Sequence, residues 1–276
     1  MRKRYSALKY ACIVALVISM IALIAIIAYV LINGIDKISV ELLFGNDKDA
    51  PSILPALIGT LQLVGIAAVI AVPIGIASAI FLVEYTNNKG NFVKVVQVAT
   101  ETLAGIPSIV YGLFGYLIFV VAFVWGYSIL GGGITLAIMI LPTIVRSTQE
   151  SLLSVQGGLR EGAYALGASK VRTIFKIVLP SAAGGIVTAV VLAVGRVVSE
   201  SAVLILTIGM VVNKIPETFM APGTSLALDI YYFASHGHPD VAAAAAVVLL
   251  VFVILLNLFA QWIGDLIKKT TYGEAK

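Results

Sequence analysis

From Thr102 to Val145 the chain carries no Asp, Glu, Lys or Arg, a run of 44 residues. Few environments tolerate such a stretch. In hydrocarbon each backbone N–H and C=O must be satisfied within the protein, so the run can cross a membrane only as helix or closed barrel. A bilayer core of roughly 30 Å takes about 20 apolar helical residues, so this window holds two spans. Four further windows are free of charge: Tyr10 to Ile35, Ala50 to Val83, Ile177 to Gly195 and Val241 to Gly264. Composition points the same way. Only 18 basic and 14 acidic residues occur in 276, 60% of the chain is apolar, and the mean hydropathy is +1.06. Soluble domains carry roughly 25% charged residues. A soluble globule is therefore excluded, and so is intrinsic disorder, which requires far less to bury.

The windows predict an all-α integral membrane protein with six spans, about 10–33, 56–83, 103–125, 129–148, 181–210 and 241–264, in a single domain over 1–276. Trp125-Gly126-Tyr127 and Gly131-Gly132-Gly133 are expected to mark the turn between the third and fourth spans. Pro73, Pro107 and Pro142 are expected to kink or end spans. The first apolar run is too long for a signal-peptide core of roughly 7–15 residues, and no small-x-small site follows it. The lone Cys12 lies within that run, so no disulfide framework or Cys-based metal site is expected.

Six spans return the chain to the side on which it started. With both termini cytoplasmic, the inner segments hold Arg2, Lys3, Arg4, Lys9, Lys89, Lys94, Arg146, Arg160, Lys170, Arg172, Lys176, Lys268, Lys269 and Lys276. The outer segments hold Lys37, Lys48 and Lys214. Basic residues concentrate on the cytoplasmic side of membrane proteins, so this orientation is expected. The net charge of +4 then reports topology, not nucleic-acid binding. The inner loop is 149–180, and the larger outer segments are 34–52 and 211–240. Glu84 and Glu101, which bracket another inner loop, read as solvated ends.

Two features exceed what a bundle of spans requires. Arg196 and Glu200 lie four residues apart within the expected fifth span, which places them on one helical face. An ionised side chain at mid-bilayer costs at least ~2.5–3.5 kcal/mol on insertion scales, and such residues tend to line a substrate path. A guanidinium stays charged and offers a planar fork to an oxyanion. Glu200 is expected to hold Arg196 between turnovers. The plainer alternative is an ion pair that fixes helix packing.

The second feature is the inner loop. A helix over 159–170 is expected there, with Ala163, Leu166 and Lys170 on one face and with Gly162 and Gly167 offering a low-relief surface to a partner. The plainer alternative is an interfacial helix lying on the bilayer. Glu161-Gly162-Ala163, then Gly167, then Ile177-Val178-Leu179-Pro180 resembles the cytoplasmic loop motif of ABC importer permeases, with Gly162 where that family usually carries Ala. In that family the loop forms a coupling helix that docks on the ATPase subunit. Glu161, Gly162, Ala163 and Gly167 are the coupling residues the resemblance implies.

The resemblance runs from about Ile53 to Ile267. Glu101 through Gly115, Leu141 through Thr148 and Arg160 through Ala168 are similar to phosphate-specific permeases. Ser128 through Leu136 and Leu228-Asp229-Ile230-Tyr231-Tyr232 are more similar to the PstA type than to the PstC type of that paired system. Gly195-Arg196-Val197-Val198-Ser199-Glu200-Ser201 is similar to the Gly-Arg-x-x-Gly-Glu-Thr of those permeases, with Ser at the second Gly and Ser at Thr.

The resemblance implies a type I (MetI-like) permease fold in the plasma or inner membrane. It also implies a subunit forming half of a phosphate path. Its implied partners are a PstC-type permease, two PstB-type ATPase subunits and an extracytoplasmic PstS-type binding protein. The chain has no Gly-x-x-x-x-Gly-Lys-Ser/Thr loop, so ATP is expected to bind a partner and no cofactor is expected here. His236-Gly237-His238 lacks the further ligands of a metal site, and no metal is assigned. The remaining readings are another oxyanion such as sulfate or molybdate, a secondary transporter or channel without an ATPase, and a membrane-embedded enzyme. The last would need a nucleophile–base or metal constellation that Arg196 and Glu200 do not supply.

Overall fold

A computed structural model describes residues 2–45, 51–86 and 90–272, with side chains placed from 9 to 264. Lys48, Lys89 and Lys276 lie outside the described residues, and Arg2, Lys3, Arg4, Lys268 and Lys269 outside the described side chains. The described residues form helices only. They run α1 (Arg2–Gly34), α2 (Val40–Phe44), α3 (Leu54–Ile80), α4 (Asn91–Ala104), α5 (Ser108–Gly115), α6 (Ile129–Leu153), α7 (Gly157–Ala165), α8 (Lys170–Thr173), α9 (Leu179–Val198), α10 (Ala202–Thr207), α11 (Leu226–Ser235) and α12 (Pro239–Tyr272). Three π-helical turns continue these helices: Phe81–Tyr85 after α3, Tyr116–Ala122 after α5 and Ile174–Val178 before α9.

Five apolar helices are long enough to cross a bilayer: Lys9–Lys37, Leu54–Tyr85, Ile129–Leu153, Lys170–Val198 and Pro239–Gly264. A sixth candidate crossing is a bent pair, Asn91–Ala104 and Ser108–Ala122, meeting at 96°. The bend falls at Gly105-Ile106-Pro107. Pro107 lacks an N–H and adopts ψ 138°, so it starts a new helix and cannot continue the old one. Helix therefore extends well before the expected boundary at 103, but in another direction. Pro73 and Pro142, in contrast, lie inside α3 and α6 without ending them.

The core is built around α6, packed against α3, α9 and α10. Leu63, Ala67 and Ala71 of α3 meet Leu136, Met139, Ile140 and Ile144 of α6. The structure corrects the expectation for Gly131-Gly132-Gly133. The turn is Phe123 through Ser128, and the three glycines lie buried inside α6. A Cβ at Gly133 would lie 2.6 Å from Ile66 Cγ2, so the missing side chain is what lets α3 approach. Small residues serve this purpose widely in membrane helices. The N–H groups of Ile129 and Leu130 donate to the carbonyls of Ala221 (3.1 Å) and Phe219 (2.8 Å), while Ser128 Oγ caps Gly131. The segment after α10 thus closes over the start of α6. Helix α1 lies outermost and packs on α12, where Gly34 leaves no room for a side chain against Ala243 and Val247.

Candidate functional site

The inner loop is not one helix. Helix α7 stops at Ala165, and Gly167 follows at φ +77°. Ala168 N donates to Ala163 O (3.0 Å) and Gly167 N to Tyr164 O (2.9 Å). This paired bonding, closed by a left-handed residue, is a Schellman motif, and it favours glycine because other residues lack room for that conformation. Ser169 then caps α8 through Arg172 N. The expected common face is corrected accordingly. Ala163 is buried, Leu166 is 89% exposed beyond the helix end, and Lys170 opens the next helix. Glu161 is exposed, and positions 162 and 167 face open space, with nothing within 4 Å of an added Cβ. Leu159, Tyr164, Leu166, Val171 and Phe175 are exposed along the same segment.

Glu84 is not a solvated end. Its side chain is 7% exposed and its Oε1 accepts from Arg160 Nη2 (2.9 Å) and Nε (3.1 Å). The same guanidinium donates to Val155 O and Leu152 O, both at 2.9 Å. No spacing rule reveals this contact, because its two residues are 76 positions apart. Glu101 does remain exposed and pairs at 3.4 Å with an exposed Arg146.

Arg196 and Glu200 are the second correction. Helix α9 ends at Val198, where Ser199 Oγ bonds back to Gly195 O (3.1 Å) and Arg196 O (3.2 Å). Glu200 lies beyond that end, and its Oε1 accepts from the N–H groups of Ala202 (3.0 Å) and Val203 (3.3 Å). The carboxylate serves the first turn of α10 and not the guanidinium, so the two charges do not stack on one helix face. No Arg196 ion pair occurs among the described residues. Arg196 is half-buried and within electrostatic range of Tyr111, whose hydroxyl donates to Leu103 O (2.8 Å) at the α4–α5 bend. Both charges therefore border the packing of α5 against α10, where Gly112 approaches the Val203 backbone.

Sequence reasoning passed over Asp229. It lies in α11, between the fifth and sixth spans, and is 0% exposed. Thr224 donates to its Oδ1, and its Oδ2 has no partner among the described residues. Burial pushes the carboxyl up from 3.8 to about 7, against the opposing hydrogen bond from Thr224. Nothing in the sequence around it separates a buried Asp from a solvated one. His236 stacks on Tyr232 at 4.1 Å between ring centroids, with Nδ1 2.8 Å from Tyr232 O.

The chain is similar to known proteins in sequence and in fold. Residues 71–271 match the family model for the binding-protein-dependent transport system inner membrane component. The chain is 32% identical over 267 residues to the probable ABC transporter permease protein YqgI of Bacillus subtilis, covering 90% of each. It is 36% identical over 222 residues to the phosphate transport system permease protein PstA 1 of Mycobacterium tuberculosis, covering 79% of this chain and 72% of that one. It is also 32% identical over 255 residues to PstA of Haemophilus influenzae, covering 90% and 89%. In fold it superposes on a chain of a bacterial alginate ABC transporter at a TM-score of 0.72, with 19% identity and 95% of each chain covered. A chain of the inward-facing MetNI methionine ABC transporter gives 0.62 at 20% identity, over 78% and 94%. The six-span helical bundle, the loop motif and these relationships together make the chain a member of the binding-protein-dependent inner membrane permease family of ABC importers, with a type I (MetI-like) fold.

Proposed function

We propose that this chain is the PstA-type permease subunit of an ATP-driven phosphate importer and forms half of the phosphate path. The observation that carries this reading is the set of PstA relatives at 32–36% identity over most of the chain. Arg196 gives it chemistry. A cation with no carboxylate partner among the described residues, at the end of an apolar helix, offers its donors to an incoming oxyanion. Glu200, engaged with backbone N–H groups, leaves that cation free for the anion. A PstC-type permease completes the path, a PstS-type protein delivers the anion, and two PstB-type subunits bind ATP. The ATPases dock on Glu161, Gly162 and the Gly167 turn, while buried Ala163 seats α7 on the protein. This chain itself needs no cofactor. An ABC permease has a use for such a docking loop, and a channel has none.

The test is uptake by the assembled complex in vesicles. Arg196→Ala is expected to remove phosphate uptake while all subunits still co-purify, and Arg196→Lys to retain a reduced rate. Undiminished uptake by Arg196→Ala ends the path assignment. Replacing the phosphate-loaded binding protein with a sulfate-loaded one separates the two substrate readings. Stimulated ATP hydrolysis by the sulfate form alone would favour the other oxyanion.

A further inference from the structure

Helix α7 has its backbone neighbours chiefly in α8 and the Ile174–Val178 turn, which belong to its own loop. Its direct polar link to a distant span runs through Arg160. That side chain binds Glu84, the fourth residue of the π-helical turn Phe81–Tyr85 that continues α3. The next residue, Tyr85, takes a second contact: Lys170 Nζ, at the start of α8, lies 4.8 Å from its ring centroid. Helices α7 and α8 therefore each contact one of two adjacent residues of that turn. The guanidinium also holds the carbonyls of Leu152 and Val155, at and just beyond the end of α6.

We propose that Arg160–Glu84 and Lys170–Tyr85 form a strut that carries displacement of α7 and α8 into α3, making Glu84 and Arg160 positioning residues for the transport cycle. The idea rests on the reading of this loop as the ATPase docking site. Three observations support transmission over mere surface pairing. The pair is largely withdrawn from water, so it is screened little and cannot slide freely. Its four guanidinium bonds fix direction as well as distance. Its receiving element, α3, is in turn packed on α6 along most of its length, from Leu63 to the tight approach of Gly75 to Ile144. A push at Glu84 thus reaches two spans as one body. A π-helical turn is a common site of function within helices, and here it aims two consecutive side chains at two partners.

The test uses the complete complex, with recovery of the ATPase subunits and phosphate taken up per ATP hydrolysed as separate readouts. Glu84→Gln keeps the shape and an acceptor oxygen but removes the charge. It is expected to leave ATPase recovery unchanged and to lower uptake per ATP by about 2- to 30-fold, the range that coupling-network substitutions span. Tyr85→Leu leaves the buried pair intact and is expected to give a smaller loss. It decides the matter if Glu84→Gln fails to accumulate. Wild-type uptake per ATP in either folded variant overturns the strut, and so does loss of ATPase recovery in Glu84→Gln, which would make the pair a support for docking only. Gly162→Leu, run in parallel, is expected to release the ATPase. Full recovery there sinks the docking reading itself, a result distinct from failure of the strut alone.

Discussion

At the scale of single residues, Glu84, Glu200 and Asp229 each have surroundings that hydropathy does not disclose. Asp229 is the clearest case, because its cost depends on pH. A carboxyl with a raised native pKa holds its proton more tightly folded than unfolded. Its burial penalty is therefore absent well below pH 3.8, grows as pH rises from 3.8 to about 7, and is constant above that. Asp229→Asn removes the titration while keeping the size. The variant is expected to gain stability over the wild type at pH 8 and to lose most of that advantage at pH 4.5. Thermal unfolding of the detergent-solubilised complex at the two pH values measures it, and an equal difference at both would show that the carboxyl does not titrate in this window. Arg196 was recognisable from sequence because a cation in an apolar helix is costly anywhere. The fate of Glu200 was not, since an i,i+4 spacing implies a shared face only while the helix continues, and Ser199 ends it.

At the scale of elements, helices were legible and their interruptions only partly so. Apolar length marks a span because lipid thickness sets it. It says nothing about direction, which is why the 96° bend at Gly105–Pro107 lies inside one apolar stretch. Glycine carried opposite meanings at two places. In Gly131-Gly132-Gly133 it permits contact between helices, whereas Gly167 ends a helix through its backbone angle. The distinction sharpens the mutational tests. Gly167→Ala is expected to cost about 1–2 kcal/mol through the left-handed conformation alone, so any bulky change there mixes strain with lost docking. Gly162 lies within α7 and faces open space. Gly162→Ala is expected to keep ATPase recovery and to stabilise the helix by up to ~1 kcal/mol, leaving the effect of Gly162→Leu to size. Loss of recovery with Ala as well would point away from a steric interface. The Arg160–Glu84 contact was beyond sequence reasoning, because only the folded bundle brings the ends of α3 and α7 together.

At the scale of the whole molecule, the chain is a multi-pass membrane permease, and its orientation is read from the excess of Lys and Arg in alternate segments. We propose cytoplasmic termini. A cysteine placed at Ser6, in a Cys12→Ser background, is expected to resist a membrane-impermeant thiol reagent in intact cells and to react after permeabilisation. Reaction in intact cells would invert the topology. Orientation also bears on one feature of the second span. The helix from Leu54 through Tyr85 has 32 residues and at 1.5 Å per residue reaches roughly 48 Å, well past the roughly 30 Å of hydrocarbon. Lipid does not dictate that overhang or its extra-residue turn. Deleting one residue within Phe81–Tyr85 would leave a segment still ample for the bilayer, yet it would rotate the remainder of the turn by about 100°. On the strut reading, the length of this span follows from where its tip must aim, so insertions or deletions there are expected to act as in a gear tooth and not as in a loop.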